Sequence, residues 1–155
     1  MKYQRLSKEQ LDEMHKEFIN FLASQTITAQ EWEEIKKETP EVAEQELDVF
    51  SDLVWEGVLN KVQYLEHISP QQMHLFHLKE SEMHVIAVQL KNEIDLTSNE
   101  GFDWLRNNLL NDEVEFLQAK KNYSEDKNAD KFALIQQGSI ISSGDLFLYF
   151  DKIIN

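Results

Sequence analysis

Two groups of side chains in this sequence have the types and the spacing to do chemistry. The first is histidine: four of the five lie between His67 and His84, with His74 and His77 between them. If Leu78 pairs with Met83 across a turn at Lys79 to Glu82, His77 faces His84 on the neighbouring strand. Cross-strand neighbours have Cβ atoms about 4.5–5.5 Å apart, close enough for two imidazoles to share a metal ion. Glu80 or Glu82 in the turn would add a carboxylate oxygen, and that donor set suits zinc or another divalent transition ion. The arrangement hangs on register, because a slip of one residue separates the pair and His74 points to the opposite face from His77. No HExxH or equivalent spacing accompanies it. The plainer reading is four partly exposed strand residues and no cofactor.

The second group is carboxylate. Glu44, Asp48, Asp52 and Glu56 follow one another at intervals of four, which stacks them along one edge of a helix, and no basic residue interrupts them in sequence. Each like-charge pair at that spacing costs roughly 0.2–0.5 kcal/mol in an isolated helix, so helix stability does not explain the ladder. Between Thr28 and Glu56 there are ten acids against two lysines, Lys36 and Lys37, a net charge of -8 within a chain of -14. A patch of one sign steers encounter with a partner of the other, so this face is expected to dock a basic protein through Glu31, Glu34, Glu44, Asp48, Asp52 and Glu56. Trp32, set between Glu31 and Glu33, is the candidate anchor, weighed against ordinary core packing. A ladder rising about 6 Å per four residues also resembles a phosphate backbone, which extends the expectation to a nucleic-acid mimic of the inhibitor or immunity type. Against both stands the solvated face of an acidic protein.

No nucleophile has a recognisable base partner. Ser142 and Ser143 beside Gly144 are better read as a helix cap, Ser51 and Ser81 stand alone, and four glycines form no phosphate-cradling loop. Catalytic residues are therefore left unassigned. The expected function is non-catalytic and regulatory, through protein binding, and the rival is a metal-dependent enzyme centred on the hairpin histidines or on Asp48 and Asp52.

The elements that must carry these groups follow from periodicity. Thr39 and Pro40 open a long helix, with Glu41 and Glu44 at its positive end. Ala43, Leu47, Phe50, Val54, Val58, Val62 and Leu65 recur at threes and fours, and Val42, Val49, Leu53, Trp55 and Leu59 widen the apolar surface, so the helix is expected to run to Leu65 and to be buried nearly all round. Ser7 with Gln10 is a capping pattern for a helix to about Ser24, and Thr28 with Glu31 caps a short one that stops before Pro40. Past Ser69-Pro70, the runs Met73 to Leu78 and Met83 to Leu90 predict a hairpin. Thr97 with Glu100 caps a further helix, Glu113 to Ala119 is a third strand, and Lys120 to Asp130 is a charged loop expected to be mobile. Phe132 and Ile135 lie on a helix ended by Gly138, and Ser142 precedes a last one carrying Leu146, Phe150 and Ile153. The fold class is α+β, mainly helical, with a small antiparallel sheet on a long central helix and one domain over residues 1–155.

Composition narrows the classes further. With 29 acidic and 15 basic residues, direct binding to nucleic acid or to an anionic membrane is disfavoured. The chain has no cysteine, no signal-peptide pattern and no apolar run of the roughly 20 residues that span a bilayer, which predicts a cytoplasmic setting. The stretches Ile27 to Trp32, Pro40 to Glu44 and Leu47 to Glu56 resemble a small family of acidic cytoplasmic bacterial proteins classed as a domain of unknown function. The resemblance covers most of the chain and implies a bacterial housekeeping or regulatory protein. It assigns no catalytic residue, cofactor or partner.

Overall fold

The computed structural model describes residues 1–155, which form two compact units, Met1–Asn60 and Lys61–Asn155. The architecture is α+β.

The first unit is helical: α1 (Lys8–Glu13), α2 (His15–Ser24), α3 (Ala29–Glu38) and α4 (Pro40–Lys61), whose last residue falls in the second unit. The caps expected at Ser7 and Thr28 form, whereas the Thr39 hydroxyl, expected to open α4, donates back to Ile35 O at 3.3 Å. The Gln10 amide donates to Ser7 Oγ at 3.1 Å while Ser7 N donates back to Gln10 Oε1 at 2.8 Å, and Glu31 N donates to Thr28 Oγ1 at 3.1 Å. The helix expected from Ser7 to Ser24 breaks at Met14, whose φ of -101° and ψ of 24° leave the helical range and turn α2 away from α1. Leu6, Phe18, Leu22 and Phe50 make the buried core, with Leu47, Val54 and Trp32 packed around it. Phe18 meets both Trp32 and Phe50 edge-on, at centroid distances of 5.2 and 5.1 Å, the arrangement ring quadrupoles favour.

The second unit holds a five-stranded antiparallel sheet in the order β4-β3-β2-β1-β5: β1 (Tyr64–Ser69), β2 (Gln72–Leu78), β3 (Glu82–Leu90), β4 (Val114–Asn122) and β5 (Ile140–Ile141). The hairpin forms in the expected register, Leu78 opposite Met83 and His77 opposite His84. Helices α5 (Asn99–Asn107) and α7 (Asp145–Ile154) close one core against the sheet, in which Met73, Ile86, Val88, Leu105 and Phe150 are all but inaccessible. Helix α6 (Lys127–Gln136) ends near Gly138, whose φ of +115° is of the positive sign that favours glycine.

Several expectations need correction. The long helix stops at Lys61, and Leu65 lies in β1, where Ser69-Pro70 and Gln71 supply the turn that pairs β1 with β2. Nor is α4 buried all round. Ala43, Phe50, Ser51 and Leu59 are buried, but Val42, Val49, Leu53 and Val58 are exposed, Val49 and Leu53 by more than half. The segment Lys120 to Asp130 is largely regular: β4 continues to Asn122, and Asp126 caps α6 by accepting from Ala129 N at 3.1 Å. Ser98, not Thr97, caps α5, and Gly144 at φ +90° is the residue before α7, with Ser142 Oγ accepting from its amide. No helix is long and apolar enough to cross a membrane.

Candidate functional site

The carboxylate ladder on α4 is not bare. The non-helical segment Lys2 to Leu6 packs against it. Lys2 N and Tyr3 N donate to the two oxygens of Asp52 at 2.7 and 2.9 Å. Arg5 reaches Asp48 Oδ1 with Nε and Nη2, both at 2.7 Å, and Glu44 Oε2 with Nη1 at 2.8 Å. Tyr3 Oη donates to Glu56, and Lys2 Nζ stands 3.8 Å from the same carboxylate. Leu6 N donates to the buried Ser51 Oγ at 3.1 Å, which fixes the end of the strap where Leu6 enters the core.

The reach follows from side-chain length. The main chain meets α4 at Asp52 through the Lys2 and Tyr3 amides and at Ser51 through the Leu6 amide, so the segment holds to the middle of the ladder. The Tyr3 side chain extends from there to Glu56, and the longer Arg5 side chain extends the other way to Asp48 and Glu44. Charge reinforces the geometry. Hydrogen bonding to Asp48 holds the Arg5 guanidinium above its usual pKa against the opposing effect of burial, and burial together with the bond to Glu56 raises the Tyr3 phenol.

The remaining acids of α3 and the start of α4 are open to solvent. Glu31, Glu33, Glu34, Glu38 and Glu41 are exposed, and Glu33 is held below the usual carboxylate range by its hydrogen bond from Lys36 at 2.8 Å. On the outer side of α4, beside Asp52 and Glu56, the exposed Val42, Val49 and Leu53 form an apolar stripe, since positions seven and four apart share a face. The first unit carries fourteen acidic against six basic residues, a net of -8. Sequence reasoning missed the stripe because it assigned every apolar residue of α4 to the core. It missed the strap because a segment without periodicity leaves no pattern.

Trp32 packs against the core of the first unit. Half-buried, it lines a groove of about 570 Å³ with Leu11, Phe18, Ile19 and Leu22, and the Lys36 ammonium sits 5.9 Å from its ring.

The histidines occupy the second unit. His77 and His84 are cross-strand partners, but each is engaged otherwise. The His77 ring stacks on Tyr64 at 4.4 Å and takes Phe147 at its edge at 5.3 Å, and burial lowers its pKa, helped by Lys79 and His84. His84 Nε2 shares a hydrogen bond of 2.8 Å with Glu82, which pulls that carboxyl below its usual range. His84 opens on a cleft of about 460 Å³ whose walls mix Lys79 and Lys120 with Asp151. Nowhere do three His, Cys, Asp or Glu side chains converge as a metal-holding group. Of the other candidate cation ligands, Asp52 gives both oxygens to main-chain amides and Asp48 gives one oxygen to Arg5. Ser142 and Ser143 sit in the turn before α7 but do not cap it: Gly144 holds the N-cap position without a side-chain bond, and Ser142 Oγ accepts from the Gly144 amide.

The chain belongs to a family of unknown function (DUF6495), which it matches over residues 1–155. No curated protein and no solved structure matches it.

Proposed function

We propose that this protein is a cytoplasmic, non-catalytic regulatory module that docks a basic protein partner by taking an extended cationic segment onto α4, in exchange for its own N-terminal strap. The observation that carries the reading is the strap itself. Four successive carboxylates already hold a short segment bearing a lysine and an arginine through side-chain and main-chain donors. A partner segment with arginine or lysine at similar spacing meets the same acceptors, and the neighbouring Val49 and Leu53 offer it apolar contact. Such exposed ion pairs are individually weak, about 0–1 kcal/mol, which makes exchange accessible at equilibrium. If the captured segment is itself a nucleic-acid-binding surface, the module acts as the mimic-type inhibitor that the ladder suggests.

The test is a fluorescence titration with a labelled arginine- and lysine-rich peptide at low and high salt. Neutralising Asp48→Asn, Asp52→Asn and Glu56→Gln together is expected to weaken binding roughly tenfold and to flatten its salt dependence. Arg5→Ala, which loosens the strap, is expected to tighten it. Binding indifferent to both sets of variants overturns the reading.

A further inference from the structure

The two edges of the sheet differ. At one, β5 is only two residues long, too short to template another strand. At the other, β4 runs nine residues from Val114 to Asn122 with a partner on one side only, and all but Val114 and Phe116 are exposed. A strand of that length offers a row of main-chain donors and acceptors to a further strand, which is the requirement for edge pairing between chains.

What the edge fits can be read from its side chains. In an antiparallel pair, residues directly opposite are either both hydrogen-bonded or both not. Two copies of β4 related by a two-fold axis can therefore bond only in registers that set odd-numbered residues opposite odd and even opposite even. Among these, one register sets unlike charges opposite: Glu115 against Lys121, Leu117 against Ala119, and Gln118 against its own copy on the axis. Glu115 against Lys120 is excluded, because it sets odd against even. The chosen register aligns two Glu-Lys pairs by symmetry and brings Leu117, 50% exposed, onto Ala119 twice. Neither Glu115 nor Lys121 forms an ion pair within its own chain. The -14 charge of each copy opposes association at long range, but salt screens it beyond about 8–10 Å, which leaves the local pairs to decide.

We propose that the β4 edge is a self-association surface on which two copies of this chain join their sheets through antiparallel β4 pairing centred on Gln118. The lysines on this edge then set register; if they serve only to keep the edge unpaired, the chain is monomeric.

The experiment follows oligomeric state by light scattering across a wide concentration range, with circular dichroism to confirm that each variant folds. The full-length chain is expected to dimerise. Lys121→Glu and Glu115→Lys, each of which sets like charges opposite, are expected to weaken the dimer roughly tenfold, and the double exchange in one chain to restore it. Because the chain has no cysteine, Gln118→Cys introduces the only thiol and is expected to give a disulfide-linked dimer on mild oxidation, whereas Ala119→Cys, set opposite Leu117, is not. A chain monomeric at every concentration, a dimer indifferent to the charge exchanges, or equal cross-linking at both positions overturns the proposal.

Discussion

Arg5 donates to one oxygen of Asp48 from two nitrogens, Nε and Nη2, each 2.7 Å away. This chelate, with the third nitrogen on Glu44, gives the ladder a reason to exist in the folded chain. Four like charges at one edge of a helix are unfavourable in isolation; beside an arginine, a lysine and two main-chain amides they become acceptors for a specific segment. Both side chains remain about a third exposed, so water screens the pair. Arg5→Ala is expected to lower the stability of the protein by about 1 kcal/mol, and a double-mutant cycle with Asp48→Asn to return a coupling of similar size by chemical denaturation.

The apolar stripe separates folding from docking. Val49 and Leu53 are 52% and 56% exposed. Val49→Ser with Leu53→Ser is therefore expected to change stability by no more than about 0.5 kcal/mol per site, read as the denaturation midpoint. The same pair of substitutions is expected to weaken capture of a basic peptide several-fold.

Core positions behave in the opposite way. Phe150 is fully buried under the sheet, tilted against Phe116 at 5.9 Å and edge-on to Tyr149 at 5.0 Å. Phe150→Ala is expected to cost about 3–5 kcal/mol, measured by thermal or chemical unfolding.

Gly144 is constrained twice over. Its φ is +90°, and a Cβ there would lie 2.5 Å from the ring of Tyr64. Gly144→Ala is expected to destabilise the start of α7 and to disturb the stack of Tyr64 on His77, visible as a lower unfolding temperature and altered tyrosine fluorescence.

His77 gives a pH dependence of defined sign. Its pKa is lowered by burial against Tyr64 and Phe147, with Lys79 and His84 acting in the same direction and Asp151 opposing them. Between the folded value and the ordinary imidazole value of about 6.5, the unfolded chain holds the larger share of proton. The contribution of His77 is therefore fully present above that ordinary value and is lost as pH falls through it towards the folded value. His77→Phe is expected to flatten this part of the stability profile, measured by denaturation at a series of pH values.

The legible parts of the fold are those governed by local rules. Ser7 and Thr28 announce two helix starts through a short side chain followed three residues later by Gln or Glu, a pattern that at Thr97 and Glu100 misses the true cap, Ser98, by one residue; the apolar runs flanking Lys79 to Glu82 place His77 opposite His84. The rest depended on what the chain folds against. Val62 and Leu65 continue the apolar repeat of α4 but leave the helix, because the pairing of β1 with β2 outweighs that repeat. Val49 and Leu53 match a buried face in type, yet Phe50 and Ala43 on the neighbouring face of the helix take the core. The ladder was visible as acid; its partner was not, since Lys2, Tyr3 and Arg5 lie about 40 to 50 residues away in an unpatterned segment.

The exchange of strap for partner is tested most directly at two amides. Lys2 and Tyr3 donate to Asp52 only while the strap is docked. In a titration of the isotope-labelled full chain with an arginine- and lysine-rich peptide, followed by two-dimensional NMR, both amides are expected to move towards unfolded-chain positions with the same midpoint as peptide binding. Peptide binding that saturates while the Lys2 and Tyr3 amides stay in place contradicts the account.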